Sequence, residues 1–234
     1  MTAKASRTPL SRERVLAAAV ALADSDGIQA LTMRRLAANL GVEAMSLYYH
    51  LPAKEALLDG VVETVLAEID AATARLPTNG DDDWRARIRR QFLAARQVML
   101  RHPWMPGLLS TRRTIPPGVF ALYEGILGTM VGAGFSYRLA HRSLHAFGSL
   151  PLGFVQEIFS PAPADGGPAD SVSEAELVAL AQQMPHLAAM MATEMHDSAD
   201  PTLGWCDSQV EFEFTLDLLL DGLERLRRTA DAQS

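Results

Sequence analysis

Apolar side chains recur every third or fourth residue through almost the whole chain, and no stretch sustains the strict alternation of a half-buried strand. A helix returns to the same face every 3.6 residues and a strand every 2, so this pattern restricts the chain to an all-α fold. The punctuation is equally legible. Ser11 is placed as N-cap of a first helix carrying Val15, Ala18, Ala19 and Leu22, which Gly27 ends. Thr32 caps a short second helix with Met33, Leu36, Ala37 and Leu40, stopped by Gly41. A third short segment covers 43–50, and Lys54 opens a longer helix to about residue 75. The stretch PTNGDDD (77–83) is a turn and a domain boundary.

Beyond that turn, 84–101 reads as a helix with Ile88, Phe92, Ala95 and Met99 on one face, broken at His102-Pro103. A short WMPGLLS segment follows, then a helix opened by Pro116-Pro117 and ended by Gly132 to Gly134. Ser136 starts a helix expected to reach residue 159 with Pro151 inside it. SPAPADGGPADS (160–171) reads as a flexible loop, and Ser173 with Glu176 as a capping-box start to a ninth helix. A last helix is expected over 208–228.

Composition narrows the function classes. At 48% hydrophobic and 21% charged residues the chain matches an ordinary soluble globular protein, and no apolar run approaches the ~18 residues of a membrane span. The first fifteen residues hold no apolar core for a signal peptide, and the single Cys206 cannot close an internal disulfide. A cytoplasmic location is the expectation. No GxSxG, P-loop, GxGxxG or CxxC pattern is present, and Cys206 has no identifiable base partner, so neither an enzyme nor a cofactor is expected. The net charge of −7 hides an asymmetry. Residues 1–54 hold seven Lys/Arg against four acids, a net +3, whereas the remaining 180 hold 14 against 24, a net −10. A basic head on an acidic body still meets phosphate locally.

Three short helices with a tight Gly turn before the third make a helix-turn-helix arrangement, whose small core would be Leu36, Ala37, Leu40, Val42 and Leu47. Unrelated bundles share that pattern, so the third helix decides. SLYYHLPAK gathers Ser46, Tyr48, Tyr49, His50 and Lys54, all donors suited to phosphates or base edges. The bland alternative packs one tyrosine inward and uses His50 as a cap. Both readings are expected to hold in part, with some rings packed and their polar tips reaching DNA. A helical adaptor would leave the cluster from Arg34 to Lys54 without a purpose.

The segment LTMRRLAANLGVEAMSLYYHLPAKEALLDGVV resembles the DNA-binding domain of tetracycline-repressor (TetR) family regulators over about residues 10–65. The resemblance implies that Arg34 reads a base from the start of the second helix, with Met33 beside it in the same DNA-facing set. It implies that Thr32, Tyr48, His50 and Lys54 grip phosphates, and that Glu43, Ala44, Met45, Ser46 and Tyr49 face the groove. Ala44 and Met45 suit a thymine methyl, so the operator is expected to differ from the tetracycline one. The implied plan is an all-α homodimer. It comprises a basic arm (1–10), a helix-turn-helix domain (11–54), a connecting helix (55–76) and a ligand-binding and dimerisation domain (77–234). Double-stranded operator DNA and a small-molecule effector are the implied partners, with a DNA-binding regulator lacking an inducer as the alternative.

Similarity to tetracycline-type repressors continues more faintly over 132–159 and 211–226. Phe212, Leu216, Leu219, Leu223 and Leu226 repeat at spacings of four and three, reading either as a dimer seam or as an internal core face. The pocket candidates are Phe92, Met99, Trp104, Phe120, Tyr123, Met130, Phe147, Phe154 and Glu157, although Met and aromatics at helical spacing also make ordinary core. Pro151, flanked by Gly148 and Gly153, is expected to kink its helix, as a ligand wall or as tolerated packing. Glu157 matches an acid that tetracycline repressors use near bound metal. The histidines of that site are missing: 108–113 reads LLSTRR, and Ser149 stands at the second position. No metal is expected. His141 and His145 sit four apart on one helix face, lack a third ligand, and read as surface or core histidines.

Overall fold

The computed structural model describes residues 9–77, 83–153, 182–194 and 208–231, and among them every regular element is helical. In chain order these are α1 (Arg12–Asp26), a 3₁₀ turn (Ile28–Ala30), α2 (Met33–Leu40), α3 (Ala44–Tyr48), α4 (Lys54–Arg75) and α5 (Trp84–Arg101). There follow α6 (Met105–Ser110), α7 (Pro117–Gly132), α8 (Tyr137–Gly153), α9 (Pro185–Glu194) and α10 (Ser208–Asp231). No helix among the described residues is long and apolar enough to cross a membrane. The expected helix start at Ser173, the loop 160–171 and the stretch 154–159 lie outside the described residues.

The caps sit where the sequence placed them. Ser11 Oγ accepts the Arg14 N–H at 3.2 Å, and Thr32 Oγ1 accepts the Arg35 N–H at 3.2 Å, each satisfying a donor that its helix leaves unpaired. Gly41 ends α2 in the left-handed region (φ 66°), and its N–H returns to the Ala37 and Ala38 carbonyls. That tight turn aims α3 across α2. Gly60 matters for another reason: a Cβ there would stand 2.7 Å from Leu16 Cδ2, so α1 and α4 cross closely and any larger residue would have to displace the Leu16 side chain.

The described residues form two apolar cores. The first joins α1 to α4, with Leu36, Leu47, Leu57, Val61, Val62 and Val65 almost wholly buried, and extends into the body through Val98, Met105 and Leu108. The second lies among α5, α7, α8 and α10, around Phe92, Ile126, Phe147, Phe212 and Leu216. Charge pairs zip α5 to α10 on the rim: Arg85 with Asp221, and Arg89 with Glu213 (2.6 Å) and Asp217 (2.9 Å).

This packing corrects the reading of α10 as an exposed seam. Phe212, Leu216 and Leu223 are buried within the protomer, Leu219 is half-buried, and of the five only Leu226 is exposed. The physical reason is that a 3–4 apolar repeat marks a covered face without saying what covers it. Here α5 and α8 do. A second stripe on α10 stays open: Val210, Phe214, Leu218 and Leu226 are 53–60% exposed at four-residue multiples, and Gly222 completes the series.

Candidate nucleic-acid interface and effector cavity

The residues that the sequence expectation assigns to DNA lie together on α2, α3 and the start of α4. Thr32, Arg34, Glu43, Met45, Tyr48, Tyr49 and Lys54 are exposed, and Met33, Ala44, Ser46 and His50 are half-buried. The two tyrosines differ: Tyr48 is partly packed, as expected, and Tyr49 is not. Tyr49 is 89% exposed and Tyr48 41%, because Leu47, with Ala44 beside it, fills the place that the short helix offers to the core. An aromatic ring held almost wholly in water lacks a packing explanation within the protomer.

Neighbouring guanidinium groups have different tasks. Arg35 pairs with Asp26 of α1, whereas Arg34 and Lys54 make no ion pair among the described residues. Thr32 combines two roles, since its oxygen accepts the capping hydrogen bond and its hydroxyl hydrogen stays available to an acceptor.

A buried polar joint links this head to the body. His102, at the end of α5, places Nδ1 2.7 Å from Asp24 Oδ1 of α1 and Nε2 3.0 Å from Glu68 Oε2 of α4. Trp104 donates Nε1–H to the same Asp24 oxygen at 2.8 Å. Burial pushes the Glu68 carboxyl up, but hydrogen bonds from Arg101 and His102 outweigh it and leave Glu68 below its ordinary value. A second link runs from the end of α6, where Arg112 Nη1 reaches Glu55 Oε2 at 3.0 Å and Asp59 Oδ1 at 3.2 Å, in the first turns of α4.

The body holds an apolar cavity of about 80 Å³ walled by α4 to α8. Of the expected pocket residues, Phe92, Met99, Tyr123 and Phe147 line it, together with Leu66, Ile69, Leu109 and Leu144. Phe92 and Phe147 meet ring to ring at 5.0 Å between centroids. Three expectations are corrected. Trp104 is buried in the core shared with the head, because its indole N–H is committed to Asp24. Phe120 is 57% exposed, since Val119, Tyr123 and Ile126 already define the inner face of α7. Met130 is fully buried in the second core, a turn beyond the cavity. Phe154 and Glu157 lie outside the described residues, while α8 is helical through Pro151 to Gly153.

Gln91 was missed. It lines the cavity beside Phe92, and with Tyr123 it supplies the polar side chains of the described wall. Periodicity could not find it, because one position along a helix turns the side chain 100° off the apolar stripe. This wall does not suit a divalent cation: it offers one amide and one phenol, and no carboxylate or imidazole among the described residues. Ser149, where a metal-binding repressor has histidine, is exposed and donates to the His145 carbonyl.

Comparison with known proteins finds a match for each half of the chain. Residues 15–61 match the family described as bacterial regulatory proteins, tetR family, and residues 76–227 match the tetracyclin repressor-like C-terminal domain. An HTH-type transcriptional regulator of Saccharopolyspora erythraea is 37% identical over 134 residues, 56% of this chain and 55% of that protein. The chain thus spans about half the length of that relative. The tetracycline repressor protein class C of Escherichia coli is 30% identical over 223 residues, covering 95% of this chain and 94% of its own. A solved structure of a possible TetR family transcriptional regulator from Streptomyces coelicolor superposes with a TM-score of 0.70 at 30% identity, over 92% of this chain and all of that one.

Proposed function

Because the chain belongs to the tetracycline-repressor family of bacterial regulatory proteins, we propose that it is a homodimeric repressor released from a palindromic operator by a small, largely apolar molecule. The observation that carries the DNA half is the exposed face of α2 and α3, where Tyr49, Met45 and the unpaired Arg34 stand in solvent. Arg34 reads a base edge, Thr32, Tyr48, His50 and Lys54 hold phosphates, and Ala44 with Met45 meet thymine methyls. Dimerisation runs through the open stripe of α10, Val210, Phe214, Leu218 and Leu226, where Gly222 allows close approach of a partner helix.

The effector site is the cavity between α4 and α8. Its aromatic and aliphatic lining favours an apolar body, and Gln91 and Tyr123 orient it through hydrogen bonds. At about 80 Å³ it is smaller than the ~300–1,000 Å³ of a drug-sized site, so binding requires the walls to part. Ligand entry is thereby coupled to shape. Leu66 and Ile69 belong to both the wall and α4, and fifteen residues of α4, about 22 Å, separate Ile69 from Lys54. Movement of that helix shifts the phosphate-holding end and changes the spacing of the two heads. A coupling of about 1–3 kcal/mol would weaken DNA binding roughly 5–150-fold.

The test is footprinting on genomic fragments followed by anisotropy titration of the protected site with a panel of neutral aromatic compounds. A protected palindrome released by one or more of them is expected. Protection without a two-fold repeat refutes the dimeric docking, and a palindrome that no compound releases refutes the effector site.

A further inference from the structure

The two histidines of α8 that the repressor function leaves unused are arranged with more order than surface residues require. His141 and His145 are both exposed, one turn apart, and their Nε2 atoms stand 3.3 Å from each other. The rings meet edge to face, at 85° and 4.9 Å between centroids, so the two nitrogens converge on one region of space. Two nitrogen ligands of a tetrahedral ion, each about 2.0–2.1 Å from it, stand about 3.3–3.4 Å apart. The observed separation is that edge.

We propose that His141 and His145 form a two-histidine chelate for a zinc-class divalent cation on the outer face of α8. Neutral imidazole nitrogen is the ligand such ions prefer, and the two remaining positions stay open to water. The exposed Arg138 and Arg142 lie on the same outer face and add positive charge, which makes this a weaker site than one with four protein ligands. Its consequence is local. Gly148 continues the same stripe one turn on, Leu144 flanks it and Phe147 turns further inward, and all three wall the cavity, so an ion bridging residues 141 and 145 ties down the stretch of α8 that faces an entering molecule. The competing account is a simple ring-to-ring hydrogen bond, which one imidazole N–H and one lone pair also satisfy.

The full chain is titrated with zinc chloride at about pH 7.5, by calorimetry and by ¹⁵N spectra of the histidine side chains. One zinc per chain, with the Nε2 resonances of both rings shifting together, is expected. His141→Ala and His145→Ala should each weaken binding about tenfold or more and remove the zinc-dependent rise in melting temperature. His186→Ala, on α9, should change neither. Zinc uptake that survives either α8 substitution, or Nε2 resonances that zinc leaves unmoved, overturns the assignment and leaves the pair as a hydrogen bond.

Discussion

Phe147→Ala tests whether the cavity is a real gap in an otherwise close-packed body. The ring is fully buried, packs on Phe92 and forms part of the cavity wall. Truncating a buried phenylalanine costs about 3–5 kcal/mol, and loss of the aromatic pair lies within or slightly above that range. In a chain of this size each kcal/mol shifts the melting temperature by roughly 2–4 °C, giving a fall of about 6–20 °C at fixed protein concentration. The same change joins the vacated volume to the existing cavity of about 80 Å³ and makes an apolar space large enough for a benzene-sized guest. Scanning calorimetry with and without toluene reads both effects. Toluene should restore part of the lost stability in the variant and leave the parent nearly unchanged. A loss under about 1 kcal/mol, or no response to toluene, would show that the walls collapse and that the cavity is not a persistent feature of the body.

Three further outcomes follow from the same geometry. Arg34→Ala should cost roughly 1–3 kcal/mol at one operator position, whereas Lys54→Ala should weaken all sequences alike and reduce the salt slope by about 1; anisotropy across salt concentrations separates them. Leu218→Glu should yield folded monomers in sedimentation, while Leu216→Glu, which puts a charge into the protomer core, should unfold the body; the opposite result reassigns the interface. Glu224 is held at about 2, below its ordinary 4.5, mainly by the hydrogen bond from Arg227 and then by that from Arg228. A folded-state value below the unfolded one means stability that is full above about pH 4.5 and lost as pH falls toward 2. Glu224→Gln should therefore flatten the acid limb of the unfolding profile, and an unchanged slope there would refute the pairing.

Much of this protein is local, and local physics is what a sequence displays. Helix positions, the caps at Ser11 and Thr32, and the Gly41 turn follow from backbone donors and dihedral preferences that involve a few adjacent residues. The exposed end that carries Thr32, Arg34, Met45 and Tyr49 was legible for the same reason, because α2, the turn and α3 are contiguous in the chain. The tertiary structure decided which apolar faces meet. Periodicity marked α10 as having a covered side, but only the packing of α5 and α8 against Phe212 and Leu216 shows that the cover is internal and that the Val210–Phe214–Leu218 stripe remains. Trp104 and Gln91 make the same point from opposite sides. A large aromatic left the cavity because Asp24, eighty residues earlier, claims its N–H, and a polar side chain entered because two distant helices left space beside it. Apolar burial is non-directional, so the sequence specifies how much surface must be hidden, while the partner that hides it is chosen only when remote segments compete for the same volume.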